Sequence, residues 1–125
     1  MTFSEKILQE AAKYLKVQLK KRFLVGLADG SLERKRFNFW LKADYPYLMN
    51  MAKVISLGKA KSEDEEDYHT MSVHTKAVEE EMIDHQNHAK KNNLSLMDIS
   101  DPMSMGPIKY SYTRHQLSNA YEGSI

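Results

Sequence analysis

Apolar residues recur every three or four positions along three long segments of this 125-residue sequence, and that spacing constrains the fold more than any other feature. The segments run from about Ser4 to Lys21, from Leu32 to Gly58 and from Ser62 to Lys91. Gly and Pro are scarce, with 5 and 3 residues, which favours long helices separated by short turns. A last helix is predicted from Pro107 to about Tyr121, and no period-two strand pattern is present. The sequence therefore predicts an all-α fold.

Capping signals predict where three of these helices begin. Thr2 with Glu5, and Ser62 with Glu65, fit capping boxes, in which each side chain bonds a backbone amide of the other residue. Ser31 fits the N-cap of the second long helix, because its hydroxyl can accept from an unpaired amide of the first turn.

Composition excludes several classes of function. Lys+Arg 18 and Asp+Glu 17 leave a net charge of +1, so nucleic acid is not expected as a partner. The absence of cysteine excludes a disulfide framework, a thiolate zinc site and a cysteine nucleophile within this chain. The longest apolar runs are only a few residues, and the N-terminus lacks the apolar core of a secretory signal. We expect a soluble cytoplasmic protein with no membrane partner.

Asp44 is the strongest functional clue, because it lies on the apolar stripe between Leu41 and Leu48. Burying a bare carboxylate costs several kcal/mol, so it must be paired, hydrogen-bonded or open to a cavity. One interpretation is a structural pair with Lys or Arg from a neighbouring helix; the other is a pocket acid that binds a ligand donor. Tyr47, one turn later, supplies an aromatic face that suits a polar heterocycle. Pro46 predicts a kink near Asp44 or an interruption of the helix.

The histidines raise the question of a metal site. His85 and His88 are three positions apart, and Glu81 precedes His85 by four, so one helix face could hold all three. The Glu-x-x-His pair of helical di-iron proteins is nevertheless absent, since position 82 is Met. We favour a polar contact between Glu81 and His85, and we assign no metal and no cofactor.

Tyr112 is a third candidate for the site. It lies in line with Ile108 and Gln116 on the last predicted helix, which would bring its hydroxyl inward. A structural tyrosine whose hydroxyl bonds the backbone is the alternative. No glycine-rich phosphate loop, Ser-His-Asp order or paired zinc motif is present. The residues by themselves support a helical bundle with one Asp/Tyr face.

Four motifs follow one another along nearly the whole chain. They are FLVGLADGSL (Phe23–Leu32), LKADYPYL (Leu41–Leu48), EEEMIDH (Glu79–His85), and YSYT with AYEGS after Pro107. In this order they resemble the TenA family (thiaminase II), whose members read Phe-x-x-Gly-x-x-Asp-Gly-Thr-Leu, an Asp-Tyr-x-Tyr-Leu core, an acidic helix ending in His, and a further helix and turn.

The resemblance implies an all-helical, heme-oxygenase-like (TenA/PqqC-like) bundle formed by residues 1–125 as a single domain. It also implies hydrolysis of aminopyrimidines from degraded thiamine, with cleavage of thiamine as a second activity. By the same resemblance, Asp44 holds the amino group and ring nitrogen of the pyrimidine, and Tyr47 stacks on its ring. Tyr112 then hydrogen-bonds near the nucleophile. These three residues are the expected substrate-binding residues, and no metal or cofactor is implied.

The family continues into a Pro-Cys-x-Trp-x-Tyr helix with the cysteine nucleophile and ends near a glutamate acid/base, whereas this sequence stops at Ile125. We expect a domain truncated before that helix, with no catalytic residue of its own, and whether it is an enzyme stays open. Because its apolar stripes would lack part of their partners, we expect a homo-oligomer or a complementing C-terminal half.

Three functions remain in competition. The first is a thiamine-salvage protein that hydrolyses aminopyrimidines or thiamine when completed by the missing half. The second is a catalytically inactive helical binding or oligomerisation module. The family also carries a regulatory label as a transcriptional activator of extracellular enzyme production, but no helix-turn-helix or basic face supports DNA binding. The third, a helical metal oxidase, is disfavoured by the ligand spacing.

Overall fold

The computed structural model describes residues 1–123. Within that range every regular element is helical, as the apolar periodicity predicts, so the all-α fold class is confirmed. The elements in chain order are α1 (Phe3–Gln18), α2 (Arg22–Asp29), α3 (Arg34–Ala60), α4 (Glu65–Lys91), α5 (Leu96–Ile99), a 3-10 helix (Pro102–Met105) and α6 (Gly106–Glu122). Among these residues, no helix combines the length and the apolar character needed to cross a membrane.

The beginning of α1 follows its predicted capping box. The Glu5 amide donates to Thr2 Oγ1 at 3.2 Å, and the Thr2 amide donates to Glu5 Oε2 at 2.6 Å. These two bonds satisfy amides that have no acceptor within the helix.

The second predicted capping box is wrong. Helix α4 begins at Glu65 after Asp64, whose carboxylate accepts from the Asp67 amide at 2.8 Å. Ser62 is engaged elsewhere, because its hydroxyl donates to the Gly58 carbonyl at the end of α3. A carboxylate also binds a helix N-terminus more strongly than a hydroxyl does, since it opposes the positive end of the helix dipole.

The predicted N-cap at Ser31 is also wrong. The Ser31 amide donates to Asp29 Oδ1 at 2.9 Å, and Gly30 adopts the left-handed conformation with φ of 79°. These residues therefore close α2, and α3 begins three residues after Ser31. Helix α3 continues through Pro46 without interruption.

The chain forms two compact units, residues 1–37 and residues 38–125, which we call the N-terminal unit and the C-terminal unit. In the N-terminal unit, Gly26 packs so closely on Leu32 that an added Cβ would lie 3.3 Å from the Leu32 backbone. Helix α1 has no buried residue. The C-terminal unit contains the buried hydrophobic residues Leu41, Tyr45, Leu48, Ala89, Ile99 and Met105.

Lys61 joins two helix ends within the C-terminal unit. Its ammonium group donates to the carbonyls of Ala120 at 2.5 Å, Tyr121 at 2.6 Å and Gly123 at 2.7 Å. The last carbonyls of a helix have no amide partner within it, so Lys61 supplies the missing donors at the end of α6.

Candidate functional site

Helix α3 brings Asp44 to the edge of the core of the C-terminal unit. Leu41, one turn earlier, is fully buried, and Leu48, one turn later, is 5% exposed. The Asp44 side chain lies between them and keeps 20% of its surface exposed. The periodicity therefore places Asp44 correctly, as a carboxylate that is mostly removed from water and needs polar partners.

Two cationic side chains bind the Asp44 carboxylate. His85 on α4 lies with its Nε2 2.8 Å from Oδ2. Lys109 on α6 donates from Nζ to Oδ1 at 3.2 Å. The first interpretation of Asp44, a pair with a cation from a neighbouring helix, is confirmed as a contact.

His85 is placed between two acceptors. Its Nδ1 lies 2.8 Å from the backbone carbonyl of Glu81, and its Nε2 lies against Asp44. A carbonyl and an ionised carboxylate can only accept, so this geometry favours donation from both ring nitrogens, as in the imidazolium cation. The predicted contact between Glu81 and His85 exists, but through the backbone of Glu81.

The charges of this pair stabilise each other. Burial alone would raise the pKa of Asp44, but the hydrogen bond with His85 and the charge of Lys109 bring it below 3.8. Burial alone would lower the pKa of His85, but its bonds to Asp44 and to the Glu81 carbonyl raise it above 6.5. The geometry therefore favours the ionised carboxylate and the imidazolium together.

Two aromatic rings lie close to the imidazole of His85. Trp40 lies 5.1 Å from the His85 ring and Tyr45 lies 6.4 Å from it, both measured between centroids. The Tyr45 hydroxyl accepts from Gln86 at 2.8 Å. These contacts fix the plane of the imidazole, whose side chain is only 10% exposed.

Tyr47 and Tyr112 form a stacked pair beside the charged group. Their ring centroids are 6.3 Å apart and their planes differ by 14°. The Lys109 ammonium lies 5.3 Å from the centroid of Tyr47, so it connects the pair to Asp44. Tyr112 is 51% exposed, and its ring lies on the ring of Tyr47.

We refer to Asp44, Tyr47, His85, Lys109 and Tyr112 as the Asp44 cluster. It unites the three residues predicted from sequence with two that sequence reasoning did not assign to the site. The spacing of Lys109 and Tyr112, three apart on one helix, is a signal that could have found Lys109. Across residues 1–123, no group of three or more His, Asp or Glu side chains is arranged to hold a metal ion. The cluster can accept hydrogen bonds, donate them and stack on a planar group.

Comparison with known proteins identifies one family and several relatives that share its sequence pattern. The protein-family model described as the TENA/THI-4/PQQC family matches residues 10–125. An aminopyrimidine aminohydrolase of Halalkalibacterium halodurans is 30% identical over 129 residues, covering 100% of this chain and 56% of that protein. One from Bacillus subtilis is 31% identical over 130 residues, covering 100% and 53%. One from Helicobacter pylori is 30% identical over 107 residues, covering 82% and 48%. The chain spans about half the length of these relatives.

Proposed function

The chain belongs to the TENA/THI-4/PQQC family, and on this premise we propose that it is a thiamine-salvage protein whose Asp44 cluster binds an aminopyrimidine. The family match runs from residue 10 to residue 125 and includes parts of both compact units, which supports treating them as one functional domain. Relatives with about 30% identity are named aminopyrimidine aminohydrolases, which supports this class of ligand.

The observation that carries the proposal is that one ammonium group, Lys109 Nζ, contacts both the Asp44 carboxylate and the ring of Tyr47, so both lie within reach of one small ligand. An aminopyrimidine is planar and presents an amino donor, so it can stack on an aromatic ring while it donates to a carboxylate. His85 holds the carboxylate in place and keeps it charged, which makes the hydrogen bond from the ligand charge-assisted.

Hydrolysis of the aminopyrimidine or of thiamine is the reaction that this binding would serve. Nucleophilic hydrolysis needs an activated attacking group and a proton donor for the leaving group. In the Asp44 cluster the carboxylate and the imidazolium stabilise each other's charge. We therefore assign these residues to binding and orientation of the ligand and name no catalytic residue among them.

The test is calorimetric titration of an aminopyrimidine into the wild-type chain and into Asp44→Asn. Loss of a charge-assisted hydrogen bond should weaken binding by about tenfold or more. Asp84→Asn, an exposed carboxylate on α4, is the matched control and should bind as the wild type does. Equal affinity of wild type and Asp44→Asn, or no binding by the folded wild type, would contradict the proposal.

A second function, self-association, is supported by the surface of α1. This helix carries exposed apolar side chains, namely Phe3, Ile7, Leu8, Tyr14, Leu15, Val17 and, just after its end, Leu19. Apolar surface of this kind on one helix is typical of a contact with another protein chain. We propose that α1 contacts a second copy of the chain, so that the molar mass in solution exceeds 14.5 kDa.

A further inference from the structure

We propose that Lys109 determines ligand specificity in the Asp44 cluster, because its ammonium group occupies the place that the amino group of a ligand would take. A ligand then binds only when it displaces Lys109 from Asp44. This inference rests on the proposed function, since the displacing ligand is the aminopyrimidine.

The position of the ammonium group gives the first argument. Lys109 Nζ lies 3.2 Å from Asp44 Oδ1 and 5.3 Å from the centroid of Tyr47. It therefore uses both the acceptor and the aromatic face that a planar amine would use. The other oxygen, Oδ2, is bound by His85.

The two cations around Asp44 differ in how firmly they are held. The His85 side chain is 10% exposed and bonded through both ring nitrogens. The Lys109 side chain is 31% exposed, and a flexible four-carbon stem carries its ammonium. A partly exposed lysine pair and a cation–π contact are each weak, so the ammonium can move into water at little cost. His85 remains in place and keeps Asp44 ionised when Lys109 leaves.

This asymmetry has a consequence for selectivity. A neutral planar molecule that stacks on Tyr47 without donating to Asp44 cannot replace the charge interaction that Lys109 gives up. A molecule that stacks and donates replaces both contacts at once. Lys109 therefore lowers the affinity for every ligand, because each must displace its ammonium group from Asp44. The loss is largest for flat ligands that have no hydrogen-bond donor to replace that contact.

The experiment measures binding of 4-aminopyrimidine, which is uncharged at neutral pH, by calorimetry. Lys109→Met keeps the apolar stem and removes the competing charge, so it should bind about five- to tenfold more tightly than the wild type. Lys109→Arg retains a cation and should stay close to the wild type. Lys76→Met, an exposed lysine on α4, is the matched control and should not change the affinity.

Ionic strength supplies a readout that a purely structural role for Lys109 would not affect. Raising salt from about 0.05 M to about 0.5 M screens the partly exposed pair of Lys109 and Asp44. The wild type should therefore bind the neutral ligand more tightly as salt rises, whereas Lys109→Met should respond much less.

Each outcome decides a different point. If Lys109→Met binds no better than the wild type, or if the wild-type affinity does not rise with salt, this inference is wrong while aminopyrimidine binding stands. If neither protein binds and both are folded by circular dichroism, the proposed function fails and this inference fails with it. If Lys109→Met does not fold, the wild-type salt series decides alone.

Discussion

Asp44 and His85 make opposite contributions to the pH dependence of folding. The pKa of Asp44 is below 3.8, so its stabilising effect is present above that value and is lost as the pH falls through its lowered pKa. The pKa of His85 is above 6.5, so its effect is present below that value and is lost as the pH rises through the raised pKa. The pair therefore stabilises the fold fully between about pH 4 and about pH 6.5.

Titration of His85 by proton NMR checks this arrangement. Its Cε1 proton should titrate with a midpoint above 6.5 in the wild type. Asp44→Asn removes the anion and leaves the effect of burial, so the midpoint should fall. A His85 midpoint that Asp44→Asn leaves unchanged would contradict the described pairing.

The sequence predicted only part of this cluster, for a physical reason. Asp44 could be predicted because a carboxylate on an apolar stripe breaks a local pattern of period 3.6. Lys109 breaks no pattern, since a lysine in the first turns of a helix is unremarkable. Its contact with Asp44 spans 65 positions of sequence and is set by packing of α6 against α3. The spacing of Lys109 and Tyr112 places both on one face of α6, but it does not tell which residue of α3 that face contacts.

At the scale of single elements, the start of α4 shows where sequence signals compete. Ser62 and Asp64 both stand three residues before an acidic residue, so two overlapping caps fit the same segment. The choice depends on where α3 ends, because Ser62 is used by the Gly58 carbonyl of that helix. Helix existence and type were predicted correctly here, whereas this boundary depends on the neighbouring element.

Substitutions at the two competing caps distinguish them. Asp64→Ala removes the acceptor of the Asp67 amide and should lower the free energy of unfolding by about 1 kcal/mol. Asp64→Asn keeps a side-chain acceptor, so it should lower the free energy of unfolding by only a few tenths of the loss expected for Asp64→Ala. Chemical denaturation gives these values. Ser62→Ala is the comparison variant, and a larger loss there than at Asp64 would support the capping box predicted from sequence.

At the scale of the whole molecule, the fold class was predictable from the sequence, whereas the division into two compact units was not. The all-α class follows from periodicity within each segment, and the colinear motifs predicted the family that the match over residues 10–125 establishes. The chain divides into residues 1–37 and 38–125, and the apolar periodicity does not predict where this boundary lies. The apolar periodicity of α1 likewise does not reveal that this helix has no buried residue.

The association proposed for α1 can be tested with charge substitutions. Leu8→Glu combined with Leu15→Glu places two carboxylates on exposed apolar positions, 68% and 58% exposed, and should reduce the molar mass to 14.5 kDa. Light scattering at micromolar concentration measures this. Gln9→Glu with Gln18→Glu adds the same charge to α1 and should leave association intact. A wild-type chain that already runs as a 14.5 kDa monomer would rule association out.

Lys61 changes how the end of α6 loses its structure. The last turn of a helix ordinarily frays, opening and closing independently of the rest of the protein. Here three terminal carbonyls are bound by an ammonium group from the end of α3, 59 positions before Ala120. The last turn of α6 therefore cannot open without releasing a side chain of another helix. Backbone amide protons at the two helix ends should then exchange with solvent as one cooperative unit.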